Sequence, residues 1–84
     1  MKTTTHFDIY NTTTSYRSDL GQRKTFAEAE AFARWHAARC DRRIRIVRIV
    51  QTAKRREVEE MANVSRDALG RVWTDLTWLG AEAA

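Results

Sequence analysis

Proline is missing altogether, cysteine occurs once and glycine three times in 84 residues. Without proline the chain has few hard boundaries, so caps, glycine and the period of the apolar residues must mark its elements. The lone Cys40 cannot form an internal disulfide, which excludes a disulfide scaffold of the secreted type. No apolar run approaches the roughly 20 residues that a membrane span requires. The opening MKTTTHFDIY lacks the apolar centre of a signal peptide. The expectation is a soluble, cytoplasmic chain that meets no membrane.

The inventory of an enzyme is equally thin. No glycine-rich phosphate loop and no serine nucleophile motif is present. His36 and Cys40 stand four apart, the spacing that lets two helix side chains point the same way, as a metal pair or a thiol with its base requires. Two ligands do not complete a zinc site, so a helix face in contact with the core is the expected role. The carboxylates of Glu57 and Glu60 suit a solvated face. No catalytic residue, metal or cofactor is expected, and the chain is not expected to be an enzyme.

What the chain does hold is apolar mass and an uneven charge. Apolar residues make up 43%, with three Trp, three Phe and two Tyr among them. That suffices for one compact domain over residues 1–84 with a thin core, of the kind that often leans on a partner or forms an oligomer. The net charge is +4, yet Arg39 to Arg56 holds eight basic residues and one acidic. The rest of the chain is net acidic. One basic patch therefore accounts for the excess, and it favours an acidic surface or a nucleic acid as partner.

THFDIYNT, Thr5 to Thr12, alternates with Phe7 and Ile9 on one side and predicts a half-buried strand. The Thr- and Ser-rich Asn11 to Arg23 reads as a loop or loose hairpin with Gly21 at a turn. TFAEAEAFARWHAARC predicts a helix over Thr25–Cys40: Thr25 caps it, and Glu28 completes a capping box. Its inner face carries Ala29, Phe32, Ala33, His36, Ala37 and Cys40. RIRIVRIV is poor helix material because β-branched side chains lose χ1 freedom there. As a strand it sets Ile44, Ile46, Arg48 and Val50 on one side and Arg43, Arg45, Val47 and Ile49 on the other. A strand under one helix, with its other face partly wet, fits that pattern, with Arg43 and Arg45 on the open side. Residues 54–62 read either as a returning strand or as a helix, and the strand is preferred because a lone pair of strands needs a further neighbour. A second helix is predicted over Ser65–Gly80, with Leu69, Val72, Trp73, Leu76 and Leu79 as its apolar stripe and Trp73 and Leu76 packed inward. The fold class that results is α+β, a small antiparallel sheet packed on one helix with a C-terminal helix, in β-α-β-β-α order.

Two resemblances bear on function. EVEEMANVSRDALGRV, Glu57 to Val72, resembles a repressor-type helix-turn-helix, with Asn63 at the tight turn and Glu59 where that family has a small residue. The resemblance implies a recognition helix bearing Ser65, Arg66, Asp67 and Arg71 in the major groove. Lys54, Arg55 and Arg56 would then hold phosphates. The second is one of layout. Over residues 5 to 60, a short strand, an Ala- and Glu-rich helix after KTF and the basic strand RIRIVRIV look like small accessory proteins of phages and mobile elements, anti-CRISPR proteins among them. That likeness implies action by occupancy inside a bacterial host cell, on a nucleoprotein immunity complex.

The expectation is thus a non-enzymatic binding protein, a phage-type inhibitor that meets an acidic or nucleic-acid-lined surface through Arg42, Arg43, Arg45, Arg48, Lys54, Arg55 and Arg56. Its alternative is the helix-turn-helix regulator, and a structural oligomer with an incidental patch is the third reading. The first of these requires the strand's guanidinium groups to be free of carboxylates from their own molecule.

Overall fold

A computed structural model describes residues 3–12, 18–40 and 43–76. Its elements are β1 (Thr4–Asn11), β2 (Ser18–Arg23), α1 (Phe26–Arg39), β3 (Arg43–Gln51), β4 (Arg56–Arg66) and β5 (Val72–Leu76). The strands form one antiparallel sheet in the order β2-β1-β3-β4-β5. Because β1 is antiparallel to both β2 and β3, those two run parallel. The chain therefore leaves β2, crosses over β1 through α1 and enters β3 at the centre of the sheet.

The predicted strand and helix at the N-terminal half are present. Phe7 and Ile9 are buried on the side facing α1, and Asp8 lies on the other side. Thr25 caps α1: its Oγ1 accepts from the backbone N–H of Glu28 at 3.2 Å and donates to Glu28 Oε1 at 3.0 Å. Ala29, Ala33 and Ala37 are fully buried and let the helix lie close to Ile9, Ile44, Ile46, Met61, Ala62 and Val64. Cys40, expected on that inner face, is exposed as the C-cap.

The rest of the chain departs from expectation mainly at its C-terminal third. Of the two readings of the Thr-rich segment the hairpin fits its described part, whose strand β2 pairs antiparallel with β1 through Phe7↔Arg23 and Ile9↔Gly21. Leu20 is an extra residue in that ladder, and Gly21 beside it has φ +148°, a conformation that side chains rarely adopt. Residues 54–62 are turn and strand, as preferred, and carry no helix. The C-terminal helix is absent as far as Leu76: Ser65–Arg66 closes β4, and Val72–Leu76 returns as β5. The reversal has a local cause. Asp67 Oδ1 accepts the backbone N–H groups of Leu69 and Arg71, both at 2.9 Å, and Gly70 has φ +84°. An Asp that captures nearby amides and a left-handed glycine build a turn where a helix interior would be weakened. Trp73 and Leu76 are accordingly 41% and 52% exposed instead of packed inward. Trp78 and Leu79 lie outside the described residues.

Met61 is a second extra residue, because Ile46 pairs with Ala62 while Val47 pairs with Glu60. The bulge buries both Met61 and Ala62. It also shifts the phase of β4, so that Glu59 stands opposite Arg48 and Val58 opposite Ile49.

Candidate binding surface

The predicted contact residues separate into three groups along the sheet. In the middle, the strand arginines are answered from within the molecule. Arg45 Nε lies 2.7 Å from Glu60 Oε2 and 3.4 Å from Asn63 Oδ1, and Arg48 pairs with Glu59. Both pairs are half-exposed, so each contributes at most about 1 kcal/mol, but each cancels a charge. Arg45, on the face away from α1, and Arg48, on the face toward it, are thus both neutralised. The reason lies in β4: its Glu59 and Glu60 come from the acidic half of the chain, and the sheet sets them beside the basic strand. Arg43 stands at the start of β3 opposite Ser65. Arg42 lies outside the described residues.

At one end is the β3–β4 turn. Thr52 builds it: its Oγ1 accepts from the N–H groups of Lys54 (3.3 Å) and Arg55 (3.0 Å), and its own N–H donates to the Arg55 carbonyl at 2.8 Å. Lys54, Arg55 and Arg56 are exposed. Arg55 Nε is 3.7 Å from Glu57, whereas Lys54 and Arg56 have no carboxylate partner among the described residues. β5 pairs only with Ala62–Arg66. The stretch from Arg56 to Met61 is therefore an edge held by β3 alone among the described residues. β3 itself is paired with β1 as far as Gln51, so the turn forms the tip of that end of the sheet. Charges at Arg56, Glu57, Glu59 and Glu60 and the bulge at Met61 protect the open edge against pairing with other strands.

At the other end, α1 finishes beside the β4–β5 turn. The residues of the helix-turn-helix resemblance meet here, but on strands and a turn, so no recognition helix exists and that reading is overturned. Arg66, at the end of β4, donates to the carbonyl of Ala38 at 3.0 Å and satisfies one of the open carbonyls at the end of the helix. Arg71 pairs with Asp67 at 2.9 Å. The backbone N–H of Arg71, helped by its guanidinium, holds the Asp67 carboxyl below the ordinary carboxylate range. Arg34 and Arg39, which the sequence reading left out, arrive from α1. Arg34 donates to Thr74 Oγ1 and the Val72 carbonyl, both at 3.0 Å. Arg39 donates to the Trp35 carbonyl at 3.3 Å and lies 4.7 Å over the Trp35 ring. An open cleft of about 500 Å³ lies at this end, lined by Ala38, Arg66, Asp67, Ala68 and Gly70.

Comparison with family models, curated proteins and solved structures finds no match to this chain.

One polar cluster occupies the open face. Asp8, 4% exposed, accepts from Tyr10 OH at 3.2 Å, and His6 Nε2 lies 3.2 Å from its other oxygen. The strand period places all three on one side, and the group ties β1 together. His36 packs edge-on against Phe32 and Trp35. Among the described residues no three metal-ligating side chains come together.

Proposed function

We propose that the protein is a non-enzymatic inhibitor that works by occupancy, a phage- or mobile-element-encoded chain of the anti-CRISPR kind. It docks the tip of the β3–β4 hairpin on an acidic or nucleic-acid-lined surface of a bacterial nucleoprotein immunity complex. The observation that carries this reading is the β3–β4 tip: a turn at the end of the sheet that exposes Lys54 and Arg56, neither with a carboxylate partner among the described residues. A hairpin braced by a sheet presents its tip with little ordering cost on binding. Cationic tips gain association rate and orientation from an anionic target. The immunity complex as target rests on the likeness of layout over residues 5 to 60. The β3 arginines, expected to make the contact, are secondary in this reading because Arg45 and Arg48 are already matched.

The test is a phage-plaque assay in bacteria carrying defined CRISPR systems, with the protein expressed from a plasmid. Plaque formation should be restored against at least one system, and the doubly charge-reversed K54E/R56E should abolish the effect while its circular dichroism is unchanged. No protection against any system tried, or full protection by K54E/R56E, would remove the proposal.

A further inference from the structure

Arginines at the α1–β5 end are bound differently from those of β3. Arg45 and Arg48 meet carboxylates, which cancel their charge. Arg34, Arg39 and Arg66 donate instead to a hydroxyl and to backbone carbonyls. Those acceptors are neutral, so they hold each guanidinium in place and leave its charge whole. Among the described residues no carboxylate lies within ion-pair distance of these three. With Arg71, four guanidinium groups stand at this end; Asp67 is occupied by Arg71 and two backbone amides, and Glu30 and Asp75 on the neighbouring α1 and β5 make no ion pair with them. Asp41 and Arg42, outside the described residues, cancel in formal charge.

We propose that this arginine end docks on the phosphodiester backbone of duplex DNA without regard to base sequence. A guanidinium uses one or two of its five N–H donors on the internal acceptors and keeps the others for phosphate oxygens. Because the side chains are already positioned, less rotamer freedom is lost on binding. The cleft at this end is lined by Ala38, Arg66, Asp67, Ala68 and Gly70, its Asp67 is already held by Arg71, and a Cβ on Gly70 would meet no atom within 4 Å. Small residues allow a sugar-phosphate chain to come close. Guanidinium groups whose charge is not cancelled by ion pairs favour a polyanion. This site lies at the opposite end of the sheet from the hairpin tip and goes beyond the proposed inhibition, whose success or failure it does not need.

The experiment is fluorescence anisotropy with a labelled mixed-sequence DNA duplex, in salt from about 50 to about 200 mM. Saturable binding is expected, with no preference among sequences. R34Q/R39Q should weaken it by about tenfold or more and lower the salt slope by about 1 for each arginine removed. K54E/R56E should leave the affinity within about twofold, which separates this site from the β3–β4 turn. Arg66 also braces the helix end, so its own variant is a poor probe. Amide NMR shifts at Ala38, Arg66 and Gly70 on adding the same duplex serve instead and should exceed those at Thr52 to Arg56. Absence of binding at the lowest salt, equal loss in the two double variants, tighter binding of duplex RNA, or equal binding of polyglutamate would each overturn the proposal.

Discussion

Gly70 and Asp67 decide how the last third of the described chain runs, and each makes a separable prediction. Gly70 has φ +84° with open space where a Cβ would stand. Gly70→Ala should therefore cost only the backbone penalty, about 1–2 kcal/mol, read as a drop in the urea midpoint with an unchanged slope. A clash would cost more, and none is available there. Asp67 is ionised more readily in the folded chain because its carboxylate accepts backbone amides, that of Arg71 foremost. The sign follows from the lowered folded value. Its stabilising share is complete above the unfolded pKa, about 3.9, and is lost as pH falls through the lower folded value. Protection of the Leu69 and Arg71 amides, measured relative to their intrinsic exchange rates, should fall on acidification below about pH 4, and Asp67→Asn should blunt that change. Protection at these amides that is insensitive to acid would contradict the assignment of the turn to Asp67.

Helix α1 and the central strand depend on each other. The helix offers alanines, which permit a close approach but bury little area, and the strand offers Ile44 and Ile46, both fully buried beneath it. Ala33→Leu should destabilise the protein by about 1–3 kcal/mol, since a core this thin has no room for added methylenes. Ile46→Ala should cost about 2–5 kcal/mol. Thr25→Ala removes a cap that accepts a backbone amide and should cost about 1 kcal/mol. Thermal or urea unfolding ranks the three, and a cap variant more damaging than Ile46→Ala would mean that the helix is held by its end and not by its face. The ion pairs of β3 with β4 act at the same scale but differently. They add little stability, and their main effect is to cancel charge on both faces of the sheet, Arg45 with Glu60 on the face away from α1 and Arg48 with Glu59 on the face toward it.

At the scale of the molecule, the strand order separates strands paired on both sides from an open edge. β1 and β3 are paired on both sides where the helix covers them, whereas the outer part of β4 has one strand neighbour among the described residues. Hydrogen exchange should therefore be slowest at Ile9, Ile44 and Ile46 and fast from Thr52 to Glu60. Uniform protection through this stretch would show that something further covers its edge. The sheet also brings together residues far apart in the chain, since β2 and β3 flank β1 and α1 must close before they do. Folding should be slow for so small a protein, in the millisecond-to-second range of sheet-dominated domains, as stopped-flow refolding would measure.

Local pattern was enough to predict β1, α1 with its cap and the extended form of β3. The β4 segment reads either as strand or as helix, and the strand is preferred only because a lone pair of strands needs a further neighbour. Alternation, helical spacing and β-branching act over a few residues, and no tertiary contact opposed them. The same kind of reasoning failed between Ser65 and Leu76, where a helix-like stripe of Leu69, Val72, Trp73 and Leu76 competed with an aspartate and a glycine that make a turn. Periodicity could not weigh those against each other, because the neighbouring β4 edge that stabilises β5 is a nonlocal contact. Charge shows the division most clearly. Composition alone locates an excess of arginine, but whether a guanidinium is spent on a carboxylate or held by a neutral oxygen depends on which strand lies beside it. Only the tertiary structure settles that, by pairing Arg45 and Arg48 with glutamates and Arg34, Arg39 and Arg66 with uncharged acceptors.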